Sequence, residues 1–95
     1  MDPPIRWLLV AHGRVQGVGY RARVAEAAGR FGLVGSATNR SDGTVLLDVH
    51  GPAAALEAFV RDVSGPRGLS HPLGVTRIAE VPPVPLARGF SVGRA

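Results

Sequence analysis

The 95-residue sequence contains no cysteine and no lysine. Without cysteine, the chain cannot form a disulfide, a thiolate nucleophile or a cysteine-based zinc site. Without lysine, it cannot supply the lysine of a Walker phosphate-binding motif. The only apolar run before the first polar loop, residues 7–11, is shorter than the about 7–15 apolar residues of a signal peptide or the about 20 of a membrane helix. We therefore expect a cytoplasmic protein with no membrane partner.

Positive charge in this chain comes entirely from arginine. The formal net charge is +4, and all eleven basic residues are arginines. A coding bias is one explanation, because alanine, glycine, valine and proline are also frequent. An anionic partner is the other, because a guanidinium group pairs bidentately with phosphate. Net charge alone does not identify a partner, so individual arginines have to be judged by their positions.

The spacing of apolar residues predicts five strands and two helices in one domain spanning residues 1–95. The strands are predicted over residues 7–13, 33–39, 44–50, 75–81 and 89–92. The first helix begins at Tyr20 and ends before Gly32, with Arg23 outside its apolar stripe of Tyr20, Val24, Ala27, Ala28 and Phe31. The second helix follows Pro52 and buries Leu56, Phe59, Val60 and Val63. Residues 14–19 and 64–74 are predicted to be loops because glycine and proline are frequent in them.

The order of these elements predicts the fold class. The turn at Asp42 and Gly43 joins the second and third strands as an antiparallel hairpin. Two helices with one apolar stripe each can cover only one face of a sheet. We therefore expect an α+β fold, a ferredoxin-like α/β sandwich with βαββαβ order plus a short terminal strand. Its sheet should be mixed and mostly antiparallel, with both helices on one face.

Residues 13–21, between the first strand and the first helix, form a candidate anion site. Glycines allow successive backbone N–H groups to converge on one point, and a helix N-terminus adds unpaired N–H groups and a positive dipole end. Arg21 adds a planar fork of donors, although a cation in the first helical turn is mildly unfavourable unless an anion lies nearby. A solvated arginine beside an ordinary glycine turn is the alternative, and the residues alone leave both open.

Other patterns in the chain are explained without a function. Residues 17–22 match the dinucleotide pattern G-x-G-x-x-A, but the following hairpin does not fit the parallel sheet which that fold needs. Residues 89–93 match G-x-S-x-G, but no helix follows the serine. His12, His50 and His71 are too scattered to predict a metal site. The position of Asp42 is explained by turn chemistry.

With the loop and the hairpin established, the sequence resembles the acylphosphatase family. Residues 13–21 read GRVQGVGYR and agree with the family signature G-x-V-Q-G-V-x-[FY]-R at every defined position. Residues 32–45 resemble the family block G-x-x-G…N-x-x-D-G-x-V. The chain departs from the family at Ser36, where an aromatic residue is usual, and in residues 65–74, which form a loop a few residues longer than usual.

The resemblance implies an enzyme that hydrolyses the carboxyl–phosphate bond of small acyl phosphates. It implies that Arg21 and Asn39 are the catalytic residues, with Asn39 orienting a water molecule, because an amide is not a practical general base. Phosphate would be bound by Arg21 and the backbone amides of Val15, Gln16, Gly17, Val18, Gly19 and Tyr20. The resemblance also implies an enzyme without metal or cofactor, whose partners are the acyl phosphate and inorganic phosphate or another anion. The residues do not indicate an oligomeric state, and a monomer is the default expectation.

Two non-catalytic alternatives share the same order of elements. RNA-binding domains of the RRM type stack bases on aromatic residues of their sheet, but the predicted third and fourth strands contain none. We therefore expect no nucleic-acid partner. A phosphate-binding module without catalysis is opposed only by the presence of both Arg21 and Asn39.

Overall fold

The computed structural model describes residues 4–83 and 89–94. Two helices and five strands are formed by these residues, in the order predicted. The elements are β1 (Ile5–Arg14), α1 (Tyr20–Arg30), β2 (Val34–Asn39), β3 (Val45–Gly51), α2 (Ala53–Ser64), β4 (His71–Val81) and β5 (Phe90–Arg94).

The strands form a single mixed sheet in the order β4-β1-β3-β2-β5. Strand β5 is parallel to β2, and the other three neighbouring pairs are antiparallel. The predicted ferredoxin-like sandwich is therefore confirmed, including the antiparallel hairpin between β2 and β3.

The prediction of a loop over residues 64–74 is wrong for residues 71–74, which belong to a strand. Strand β4 begins at His71, which pairs with Arg14, and the extended pairing also lengthens β1 beyond its predicted end. Glycine and proline in this segment indicated a loop, but β4 is an edge strand, where a proline such as Pro72 is tolerated.

Two β-bulges interrupt the pairing between β1 and β4. The register shifts between Leu8 and Leu9, and again between His12 and Gly13. The shifts leave Ile78 and Leu73 of β4 without a partner, and these side chains are 55% and 82% exposed. The extra residue of each bulge is thus an exposed apolar side chain on the edge of the sheet.

The core lies between the sheet and the two helices. Alternate residues of β3 are buried, and α1 and α2 turn their apolar stripes to the same face. The buried side chains include Leu9, Ala11, Tyr20, Val24, Ala27, Ala28, Val45, Leu47, Val49, Leu56, Phe59 and Val63. Val60, which was predicted to be buried with this stripe, is only partly buried and packs against the cluster.

The end of α1 is formed as the sequence predicts. Gly32 adopts a left-handed conformation with φ of +68°. The N–H of Leu33 donates to the carbonyl of Ala28 at 2.8 Å, and the Leu33 side chain is 3% exposed. This pairing satisfies a carbonyl that the helix end would otherwise leave without a partner.

Gly35 in β2 lies in close contact with the backbone of β3, so a substitution at this position tests how tightly the hairpin is packed. Its φ is +146°, and a Cβ atom at this position would lie 1.8 Å from the carbonyl oxygen of Asp48. We expect Gly35→Ala to lower the free energy of unfolding by more than about 2 kcal/mol, measured by urea denaturation, because backbone strain and a backbone clash add together.

Gly65 provides the matched control for this substitution. Its φ is −90°, and an added Cβ would meet no atom within 4 Å in the described structure. Gly65→Ala should change the stability by no more than about 0.5 kcal/mol. Equal effects of the two substitutions would show that the contact at Asp48 does not constrain the hairpin.

Candidate active site

The C-terminal ends of β1, β2 and β5 and the start of β3 lie at the same end of the sheet. Val45, the first residue of β3, pairs with Ala11 near the end of β1 and with Asn39 at the end of β2. Asn39 in turn pairs with Arg94 at the end of β5. The loop that follows β1 and the hairpin that follows β2 therefore begin beside each other.

The loop between β1 and α1 leaves a helix N-terminus open. Gly17 and Gly19 have φ values of +72° and +78°, a conformation that glycine adopts without a steric cost. Gly19 is the N-cap of α1, and no side chain in the described part of the protein caps the helix. The first helical hydrogen bond runs from the N–H of Arg23 to the carbonyl of Gly19 at 3.1 Å. The earlier N–H groups of the first turn have no acceptor within the helix and can bind an anion.

Val15 differs from the other residues of the predicted set of loop amides. Its backbone N–H already donates to the carbonyl of Gly13 at 3.1 Å. Its side chain is 1% exposed and belongs to the core. Val15 therefore anchors the loop, and the other five residues predicted to offer backbone amides to an anion are Gln16, Gly17, Val18, Gly19 and Tyr20.

Arg21 is held by the last strand of the sheet. Its Nη1 donates to the carbonyl oxygen of Gly93 in β5 at 2.7 Å, and the residue is partly buried. A cavity of about 190 Å³ lies beside it, lined by Val15, Gly17 and Gly19 from the loop, by Tyr20 from α1 and by Val92 from β5. Since a guanidinium group has five N–H donors, the bond to Gly93 orients Arg21 and leaves donors for a ligand.

Asn39 lies on the helix-covered face of the sheet, because its neighbour in the ladder, Val45, is buried on that face. Its side-chain oxygen Oδ1 is buried and has no hydrogen-bond partner among the described residues. Leaving such an acceptor unpaired costs about 1–3 kcal/mol, so buried acceptors are nearly always satisfied. The geometry indicates a position for a water molecule or ligand that donates to Oδ1.

The side chain of Gln16 ties the loop to the hairpin. Its Nε2 donates to the carbonyl oxygens of Arg40 and Thr44 at 2.7 and 2.8 Å. Arg40 immediately follows Asn39, so this contact sets the loop against the end of β2. Sequence reasoning assigned only the backbone amide of Gln16, because an irregular loop has no periodicity that indicates where a side chain points.

Arg23 is a second arginine near the site whose role was not predicted. It lies outside the apolar stripe of α1 as expected, yet it is only 9% exposed. Its guanidinium donates to the Oγ of Ser70 at 3.0 Å and to the carbonyl of Asp62 at 2.6 Å, and lies 5.7 Å from the centre of the Tyr20 ring. Its spacing of three residues from Tyr20 on one helix was the only available signal.

The remaining candidates have structural roles or stay apart. Asp42 accepts hydrogen bonds from the hydroxyl and the N–H of Thr44, which lower the pKa of its carboxyl and account for its place in the turn. Within residues 4–83 and 89–94, no three histidine, aspartate or glutamate side chains converge as metal ligands. Neither described helix is long and apolar enough to cross a membrane.

A sequence model of the acylphosphatase family matches residues 7–83. The chain belongs to this family. An acylphosphatase from Azorhizobium caulinodans is 44% identical over 85 residues, which cover 88% of this chain and 89% of the relative. One from Cupriavidus necator is 60% identical over 53 residues. The crystal structure of acylphosphatase from Bacillus subtilis superimposes with a TM-score of 0.85 at 32% identity and covers 93% of this chain and 97% of that one.

The shorter matches cover only part of each protein. The match to the Cupriavidus necator acylphosphatase covers 56% of this chain and 58% of the relative. Matches to two further Cupriavidus acylphosphatases cover 56% and 59% of those relatives. The chain thus matches a little over half the length of these three relatives, whereas its likeness to the Bacillus subtilis acylphosphatase extends over nearly the whole fold.

The burial of Tyr20, the first residue after the loop between β1 and α1, can be tested by the pH dependence of stability. Its side chain is 1% exposed and its hydroxyl donates to the carbonyl of Val63 at 2.9 Å. Burial raises the pKa of its phenol well above 10, and the charge of Arg23 opposes this only in part. The unfolded chain ionises at about pH 10, so stability should decrease as the pH rises above that value, by up to about 1.4 kcal/mol per unit.

The measurement is direct because Tyr20 is the only tyrosine in the chain. Tyrosinate absorbance should stay low in the folded protein above pH 10 and appear together with alkaline unfolding. Tyr20→Phe, as the control, should remove this component of the pH dependence. Normal ionisation near pH 10 in the folded protein would contradict the buried hydrogen bond to Val63.

Proposed function

We propose that this chain is an acylphosphatase, which hydrolyses the carboxyl–phosphate anhydride bond of small acyl phosphates to a carboxylate and inorganic phosphate. The proposal depends chiefly on one arrangement at one end of the sheet, where the guanidinium of Arg21 is anchored to Gly93. Among the described residues, the Oδ1 of Asn39 has no hydrogen-bond partner there and the N-terminus of α1 has no side-chain cap. Membership of the acylphosphatase family supports it.

The phosphoryl group is bound by the loop and by Arg21. The backbone N–H groups of Gln16, Gly17, Val18, Gly19 and Tyr20 surround its oxygens, and the positive end of the α1 dipole acts in the same direction. Arg21 contributes the donors that its bond to Gly93 leaves free. These fixed donors stabilise the negative charge on the phosphoryl oxygens during transfer. Inorganic phosphate, which carries the same oxygens, binds in the same place as product.

The attacking water is positioned by Asn39. The buried Oδ1 accepts a hydrogen bond from the water and turns the water oxygen towards phosphorus. The oxygen–phosphorus bond forms as the bond from phosphorus to the carboxyl oxygen breaks, and the carboxylate leaves with the electron pair. The proton released by the water is taken by an oxygen of the phosphoryl group, because an amide does not act as a base.

The substrate class fits a site of this simplicity. A carboxylate is a good leaving group, so an acyl phosphate needs little help from a general acid. Phosphoryl transfer depends mainly on positioning and on stabilising charge. The loop amides, Arg21 and Asn39 supply both, and the proposed reaction therefore needs no metal ion or cofactor.

We also propose the domain organisation, the oligomeric state, the location and the partners of the protein. Residues 1–95 act as one domain, and the protein works as a cytoplasmic monomer without a nucleic-acid or membrane partner. Trp7 and Phe90, the aromatic residues on the described strands, both pack with the core. Arg6 and Asp48 form an ion pair of 2.6 Å between neighbouring strands. An RNA-binding sheet would instead present its aromatic residues to bases.

Substitution of the two catalytic residues tests the mechanism. We expect Asn39→Ala to lower kcat by about 10²–10³ with little effect on phosphate binding, because the water loses its acceptor. Arg21→Ala should lower kcat/KM by at least as much and also weaken phosphate binding. The measurement is the hydrolysis of benzoyl phosphate, followed by its loss of ultraviolet absorbance with EDTA present.

Arg14→Ala is the matched control, because Arg14 is an exposed arginine at the end of β1, directly before the same loop. It should leave turnover within about twofold of the wild type. Wild-type turnover in Asn39→Ala would refute the water-positioning role, and sensitivity to EDTA would refute the metal-free reaction. A folded protein that binds phosphate but has no turnover would instead be a phosphate-binding module.

A further inference from the structure

A second cavity, of about 280 Å³, lies beside the first turn of α1, and Arg21 is not part of it. Its walls come mainly from α1 and from residues 67–70, which follow α2. The charged residues that line it are Arg23, Glu26 and Arg67. When ionised, these side chains carry two positive charges and one negative charge, so the lining as a whole is positive and favours an anion.

The guanidinium of Arg23, in the wall of this cavity, has a donor that the described residues do not satisfy. The residue is only 9% exposed, and its Nη1 and Nη2 donate to the hydroxyl of Ser70 and the carbonyl of Asp62. Its Nε is buried and has no hydrogen-bond partner among the described residues. An unsatisfied buried donor destabilises the fold, and more so when the group is charged. Since buried donors are nearly always satisfied, we expect an acceptor from outside the protein at Nε.

The charge of Arg23 indicates what kind of acceptor this is. Both oxygens that accept from its guanidinium are neutral, at Ser70 and Asp62. The carboxylate of Asp62 accepts from Arg30 instead, at 3.2 Å. Within residues 4–83 and 89–94, Arg23 forms no ion pair. A buried cation without a counter-ion is costly, so an anion satisfies the Nε of Arg23 better than a neutral group does.

Arg67 can contribute a second guanidinium to the same anion. Its Nη2 lies 3.7 Å from the carboxylate of Glu26, and both side chains are more than half exposed. An exposed ion pair of this kind contributes little to stability, so Arg67 can exchange Glu26 for another anion at small cost. The backbone of Arg67 is fixed, because it exchanges two hydrogen bonds of 3.0 and 3.1 Å with the backbone of Ser70. The side chain therefore starts from a defined position at the cavity wall.

We propose that this cavity is a second anion site, which binds a small free oxyanion of the phosphate or sulfate kind between Arg23 and Arg67. The oxyanion accepts from the Nε of Arg23 and from the guanidinium of Arg67, which turns away from Glu26. Arginine suits this role because its donors match the oxygens of phosphate. The site goes beyond the proposed hydrolysis and does not depend on it, because neither Arg21 nor Asn39 takes part.

Titration of the protein with inorganic phosphate, followed by NMR, tests this site. The backbone amide signals of residues 67–70 should shift along a saturable curve, and the Nε–H signal of Arg23 should move downfield on the same curve as it gains an acceptor. Arg21→Ala should leave this curve unchanged. Arg67→Gln should weaken the binding about tenfold, as expected when a charged hydrogen bond is lost. Glu26→Gln should strengthen it about threefold, because Arg67 then has no competing carboxylate.

Arg61→Gln is the matched control, because Arg61 is also an exposed arginine but lies on α2 and lines neither this cavity nor the one beside Arg21. It removes the same charge and should change the affinity by less than about twofold, since exposed charges are screened by salt. Equal effects of Arg61→Gln and Arg67→Gln would overturn the site, because net charge alone would then explain the binding. An unmoved Arg23 signal, or no saturable shift at residues 67–70, would also overturn it, whether or not the protein hydrolyses acyl phosphates.

Discussion

The contact between the Gln16 amide and the β2–β3 hairpin is the interaction on which the site depends. Two hydrogen bonds, to Arg40 and Thr44, join a glycine loop to the end of the strand that carries Asn39. Within the described part of the chain, the loop by itself provides only a helix start without a side-chain cap, and the strand by itself provides only an amide oxygen without a partner. The loop and the end of β2 are far apart in sequence. The hydrogen bonds of Gln16 and the pairing of both β1 and β2 with Val45 bring them together.

Two arginines of α1, Arg21 and Arg23, are held by different parts of the fold. Arg21 and Arg23 are two positions apart on α1 and point to opposite flanks of it, one towards the carbonyl of Gly93 and the other towards Ser70. In both cases a neutral oxygen holds the guanidinium, so the positive charge is not cancelled by a carboxylate in that contact. A charge-assisted bond of this kind is stronger than a bond between neutral groups.

Much of the fold could be predicted because it follows from periodicity. The alternation in β3 and the helical stripe that includes Val24 identified the buried faces, and Gly32 identified the end of α1. The start of β4 could not be predicted in this way, because its glycine and proline residues are also typical of loops and only the partner strand decides. The tie from Gln16 and the burial of Arg23 depend likewise on residues far away in sequence, and no local pattern indicates them.

Strand β4 lies at the edge of the sheet, and an edge strand with a regular row of free N–H and carbonyl groups can pair with another molecule. Its two bulges, at Leu73 and Ile78, break that row into short pieces and increase the local twist. Pro72 removes one further donor. An approaching strand would find only short stretches of β4 on which to form a ladder. The same irregularities that leave two apolar side chains exposed thus oppose edge-to-edge pairing at β4.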